Sequence, residues 1–150
     1  MDEYKIKTYN ESDTIELAQN IESEKFPNMV ICLNGDLGSG KTVFAKGFAQ
    51  AMGIDEITSP TFNIIKEYEG ELPLFHMDAY RVENNIESLG LGEYFEKEGV
   101  TIIEWSDMIK EYLPEERLEM NFKIIGENTR VIILKPYGEK YIRVCEDIIW

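Results

Sequence analysis

Gly35, Gly40, Lys41 and Thr42 lie in the stretch GDLGSGKT and satisfy the spacing G-x-x-x-x-G-K-[ST]. Each residue type in that pattern suits the holding of a polyphosphate. Glycine lets the main chain turn and approach an anion closely, a lysine amine reaches the β- and γ-phosphates, and a threonine hydroxyl ligates Mg²⁺. The pattern requires a helix after the loop, because the free N–H groups and positive dipole end of a helix N-terminus attract phosphate. Main-chain amides from Asp36 through Leu37, Gly38, Ser39, Gly40, Lys41, Thr42 and Val43 then form the nucleotide cradle. An acid at Asp36 is compatible with that cradle, since backbone holds the phosphates and the side chain can point outward. Two readings of it stand: a solvated loop acid, or a carboxylate on the γ-phosphate side that places water or meets a partner.

Phosphoryl chemistry with Mg²⁺ also needs a carboxylate at the end of a hydrophobic strand beside the loop-bearing strand. The run VTIIEW supplies Glu104 at that place. Asp78 ends a second run, LFHMD, and shares a strand face with His76, because residues two apart in a strand point the same way. Asp78 is the nearest candidate for a general base; His76 reads equally as a catalytic or a structural histidine. Arg81 follows, with an acid or a phosphate as its partner. Pro60 in TSPTF fixes the backbone beside Thr61, which reads as a switch-loop threonine that reaches Mg²⁺ or the γ-phosphate, or as a turn residue.

These groups need elements to carry them. MVICL, Met29 to Leu33, reads as a strand buried on both faces. Phe44, Ala45, Phe48, Ala49 and Met52 then form one helical stripe that Gly53 closes. Strand, glycine loop and helix therefore come one after another. YKIKTY alternates like an edge strand, and Ser12 is the expected cap of a helix bearing Ile15, Ala18 and Ile21. Two strands are expected around a turn near Gly70, and one or two short helices in ENNIESLGLGEYFEKEG. SDMIKEYLP predicts a helix capped by Ser106 and stopped at Pro114. LEMNFKII and RVIIL predict an antiparallel hairpin across GENT, and Tyr141, Val144, Cys145 and Ile148 a final helix.

Composition narrows the partners. The chain has 150 residues, enough for one domain with a real core. Fifteen basic against 29 acidic residues leave a formal charge of −14, which disfavours unaided contact with a nucleic-acid backbone and favours a basic protein partner. No run reaches the roughly 18 apolar residues of a membrane span, and the first residues lack a secretory layout, so a cytoplasmic protein is expected. The two cysteines, Cys32 and Cys145, have no metal-ligand spacing and read as reduced, buried thiols.

Four segments together, GDLGSGKT, SPTF, HMDAYR and IIEW, resemble the TsaE (YjeE) family of small bacterial P-loop ATPases required for threonylcarbamoyladenosine in tRNA. The resemblance implies a three-layer α/β P-loop NTPase fold over residues 1–150, a mostly parallel central sheet with antiparallel hairpin additions, ATP with Mg²⁺, and association with the TsaD–TsaB pair. It gives Lys41 and Thr42 phosphate and metal, makes Glu104 the strand-end metal ligand, puts Thr61 in a switch-like loop, and ties Asp78 and Trp105 to ATPase function. tRNA is met only indirectly on this reading. Because none of Arg81, Arg117, Arg130 and Arg143 is an obvious arginine finger, hydrolysis by the isolated chain is expected to be slow and partner-stimulated. The alternatives are a small-molecule kinase, for which no arginine-bearing lid is visible, and a nucleotide-gated binding module whose hydrolysis is incidental. A GTPase is disfavoured by the absence of N-K-x-D.

Overall fold

A computed structural model describes residues 3–55, 57, 65–81 and 90–148. Among them, β2 (Met29–Gly35) is the centre of the architecture. Met29, Ile31 and Leu33 enter one hydrophobic cluster while Val30 and Cys32 enter another, so the unbroken apolar run is what a strand buried on both faces requires. Parallel neighbours flank it: β5 (Val100–Glu104) on one side and β6 (Arg117–Ile124) on the other, with β4 (Leu74–Asp78) parallel to β5. Antiparallel strands extend both edges. β3 (Ile65–Tyr68) pairs with β4, β7 (Arg130–Tyr137) with β6, and β1 (Tyr4–Thr8) with β7, giving the order β1-β7-β6-β2-β5-β4-β3. The four inner strands are thus parallel and the antiparallel pairs lie outside them.

Helices α1 (Glu11–Glu22), α2 (Lys41–Ala51) and α4 (Glu139–Ile148) cover one face of the sheet through Leu17, Ile21, Phe44, Phe48, Tyr141 and Val144. The opposite face is covered by shorter pieces: α3 (Leu91–Phe95) contributes Leu91, the 3-10 turn Ala79–Arg81 contributes Ala79, and a 3-10 segment, Ser106–Tyr112, contributes Ile109. Two sequence expectations change here. The cap of α1 is Asn10, whose Oδ1 accepts the Asp13 N–H at 2.9 Å while Asp13 Oδ2 accepts the Tyr9 N–H at 2.9 Å; Ser12 lies inside the helix. This reciprocal arrangement satisfies two amides, more than a single serine cap provides. The segment expected as a helix capped by Ser106 is 3-10, broken at Ile109 (φ −129°), and the Ser106 hydroxyl accepts from the Asn34 side chain. Both cysteines are buried and free, and burial pushes each thiol up to about 12. Among the described residues no helix is long and apolar enough to cross a membrane.

Candidate nucleotide site

Three parallel strands deliver their C-terminal ends to one place. Gly35 ends β2, Glu104 ends β5 and Asp78 ends β4, and in the sheet register Glu104 lies between Leu33 and Asp78. In open α/β sheets that edge is where ligands bind. Gly35 has φ +149°, and a β-carbon there would lie 2.6 Å from the Phe122 carbonyl oxygen and 2.7 Å from Ser39 Oγ. Only glycine allows the loop to leave β2 pressed against β6. The loop closes with Ser39 N–H donating to the Asp36 carbonyl at 3.0 Å, and Gly40 (φ +110°) starts α2. No side chain caps α2, so the first-turn amides of Lys41, Thr42 and Val43 remain available to a ligand.

A cavity of about 370 Å³ opens over this helix end. Leu37 through Val43, Asp78, Glu104 and Trp105 line it. Asp36 is exposed and outside the lining, while Leu37 is 89% exposed at the loop tip. Lys41 is buried: its amine donates to the Gly35 carbonyl and lies 3.5 Å from the centroid of the Trp105 ring. Burial lowers its pKa from the ordinary lysine value, against the opposing pull of Glu104, Asp36 and Asp78. The Thr42 hydroxyl donates to Glu104 Oε1 at 3.2 Å, and the other carboxylate oxygen, Oε2, is 2.6 Å from His76 Nε2. Asp78 Oδ1 accepts the Tyr80 N–H at 3.0 Å. Thr61 lies outside the described residues, as does the side chain of Arg81.

Trp105 is held by β2. Its N–H donates to the Leu33 carbonyl at 2.8 Å, and it adopts φ +61°, an uncommon conformation for a bulky residue. Asn34 secures the two residues after the tryptophan, donating to Ser106 Oγ at 2.8 Å and accepting the Asp107 N–H at 2.9 Å. The strand that carries the loop therefore also fixes the aromatic ring above Lys41, and Tyr80 adds a second ring 5.1 Å from Trp105.

Sequence reasoning did not find the remaining wall. Asn10, Glu11 and Thr14 at the start of α1 and Asn128 and Arg130 of the β6–β7 hairpin also line the cavity. Arg130 Nη2 donates to the Gly38 carbonyl at 3.1 Å, while Nη1 donates to the carbonyls of Gly126, Glu127 and Thr129 within its own hairpin. Of the arginines with described side chains, Arg117 pairs with Glu119, Arg143 lies 3.6 Å from Glu139, and Arg130 alone reaches the loop. The polar run YNESD and the lone arginine after GENT were the available signals, but no local rule links them to a loop distant in sequence.

The donor set has a clear chemical preference. Thr42 Oγ1 and the Glu104 carboxylate are hard oxygen donors already in contact, and no cluster of three or more His, Cys, Asp or Glu suited to a metal occurs among the described residues. One hydroxyl and one carboxylate fit Mg²⁺, which takes one or two protein oxygens and completes its shell from phosphate and water, better than zinc, which prefers nitrogen and sulfur.

Comparison with known proteins places this geometry in a family. Residues 8–132 match the family described as "Threonylcarbamoyl adenosine biosynthesis protein TsaE". The "tRNA threonylcarbamoyladenosine biosynthesis protein TsaE" of Bacillus subtilis (strain 168) is 46% identical over 150 residues, covering 99% of this chain and 95% of the relative. The protein of the same name from Treponema pallidum (strain Nichols) is 39% identical over 106 residues, 69% of this chain and 78% of its own. A solved structure, described as that of Bacillus subtilis YdiB, superposes with a TM-score of 0.86 at 42% identity, covering 98% of this chain and 94% of the other. A matching profile that spans the loop, both strand-end acids and most of the hairpin, with a relative alike over nearly the whole length, makes this chain a member of the TsaE family.

Proposed function

We propose that this chain is an ATPase of tRNA threonylcarbamoyladenosine synthesis, one that binds ATP with Mg²⁺ at the start of α2, hydrolyses the β–γ bond and passes its nucleotide state to the TsaD–TsaB pair. The observation that carries the reading is the convergence of Lys41, Thr42, Glu104 and Asp78 on one uncapped helix N-terminus. Amides of the loop and first helical turn hold the phosphates. Lys41 exchanges a carbonyl and an indole face for an anionic partner, which restores the charge that burial disfavours. Thr42 and Glu104 supply two oxygens to the metal. When bound, Mg²⁺ neutralises charge on the phosphate oxygens as the reaction proceeds. Asp78 orients the attacking water and accepts its proton as the water oxygen bonds to the γ-phosphorus; the bond to the β–γ bridging oxygen breaks and ADP leaves with that electron pair. Thr61 acts from a switch-like loop on this reading, and Asn10, Glu11, Thr14, Asn128 and Arg130 form the wall left for the nucleoside.

The work is conformational, carried out in the cytoplasm, and tRNA is reached only through the partners. Phosphate release is expected to be slow for the chain alone and faster with TsaD–TsaB; equal rates would contradict the coupling. Calorimetry should show that Thr42→Ala and Glu104→Ala lose ATP affinity chiefly when Mg²⁺ is present. A Glu104→Ala defect of the same size without metal would remove it from the ligand set.

A further inference from the structure

His76, the single histidine of the chain, is only 1% exposed and does not line the cavity. It therefore reaches the chemistry through another residue, and its one side-chain hydrogen bond among the described residues identifies which: Nε2 lies 2.6 Å from Glu104 Oε2. The opposite oxygen of that carboxylate receives the Thr42 hydroxyl at 3.2 Å. A glutamate side chain has three rotatable bonds, and without a second contact the strand-end carboxylate could turn away from Thr42. We propose that His76 is a positioning residue, its Nε2–H holding one oxygen of Glu104 so that the other stays aimed at Thr42, where the two would hold the metal. The inference rests on the reading of Glu104 and Thr42 as Mg²⁺ ligands. Mg²⁺ tolerates little departure from octahedral geometry, so a ligand oriented in advance binds it better than one that must be ordered.

A packing role alone does not account for the ring. Its Nδ1 is buried without a hydrogen-bond partner among the described residues. His76 sits on β4 with Ile102 of β5 on one side and Lys66 of β3 on the other in the sheet register. An aliphatic side chain would fill this place without leaving a buried nitrogen unsatisfied, which costs stability. The unsatisfied Nδ1 is explained if the opposite nitrogen is the one the fold needs: donation from Nε2 to a carboxylate places the ring and makes no demand on Nδ1.

The test compares binding of a non-hydrolysable ATP analogue, with and without Mg²⁺, in the whole chain and in His76→Leu, His76→Gln and Glu104→Ala. Glu104→Ala is expected to remove the affinity that Mg²⁺ adds. His76→Leu should cut that Mg²⁺-dependent gain by roughly tenfold, with metal-free binding unchanged. His76→Gln, whose amide N–H can occupy the Nε2 position, should keep most of it. If His76→Leu retains the full gain while Glu104→Ala loses it, the positioning role is wrong and the ligand assignment stands. If Glu104→Ala also retains the gain, the ligand assignment fails first. Should His76→Leu not fold, nitrogen NMR of the unmodified chain decides, because one histidine gives one pair of ring signals. A hydrogen on Nε2 is the expected result; a ring with bare Nε2 has no hydrogen to give Glu104 and overturns the proposal.

Discussion

Lys41 is held in two roles that oppose each other. Its amine is buried, and burial lowers its pKa, so the charge that would bind phosphate under the proposed function weakens the fold around it. Lys41→Met keeps the aliphatic stem under Trp105 and removes the charge. We expect its melting temperature to be no lower than that of the unmodified chain, while ATP affinity falls by about 10- to 100-fold, the size of a lost charge-assisted hydrogen bond. Thermal denaturation and calorimetry on the same samples check both halves, and a lower melting temperature would show that the contacts to Gly35 and Trp105 outweigh the cost of burial. Residue types and spacing made Gly35, Lys41, Thr42, Glu104 and Asp78 legible in the sequence, because each chemical role admits few side chains. Partners at this scale were not legible. The contact of His76 with Glu104 depends on two strands lying in register, and the Lys41–Trp105 contact depends on a left-handed tryptophan that no spacing rule predicts.

Among the elements, the β6–β7 hairpin contributes more than edge pairing. Arg130 ties its turn to the Gly38 carbonyl, so the hairpin braces the glycine loop from outside. Arg130→Ala is expected to destabilise the fold by about 1–2 kcal/mol and to weaken ATP binding about tenfold. Hydrogen exchange should report faster exchange at Gly38, Ser39 and Gly40; unchanged exchange with intact affinity would show the brace to be idle. The hairpin itself was readable from alternating apolar residues, and β2 and β5 from compact apolar runs. Helix ends were harder to read. Ser12 was the expected cap of α1, whereas the reciprocal contacts of Asn10 and Asp13 make Asn10 the cap. The 3-10 character of Ser106–Tyr112 is equally hidden, since Ser106 is engaged by Asn34 from 72 positions away rather than by its own segment.

At the scale of the whole molecule, charge and topology set different limits. A formal charge of −14 repels a phosphate backbone, so the chain alone should not retard tRNA in a mobility assay at physiological salt, and a clear shift would overturn the indirect role proposed for tRNA. The layered α/β class followed from the family resemblance, but the placement of β1 was not legible. That strand lies beside β7, so the first described strand is paired with the last, and Asn10, Glu11 and Thr14 just after it line the cavity together with Arg130. Pairing over such a span is slow to form, because closing a long loop must precede the contacts that reward it. During synthesis on the ribosome, β1 therefore lacks its strand partner until residues 130–137 have cleared the exit tunnel. The wall that Asn10, Glu11 and Thr14 form over the glycine loop is accordingly secured only after the β6–β7 hairpin has emerged.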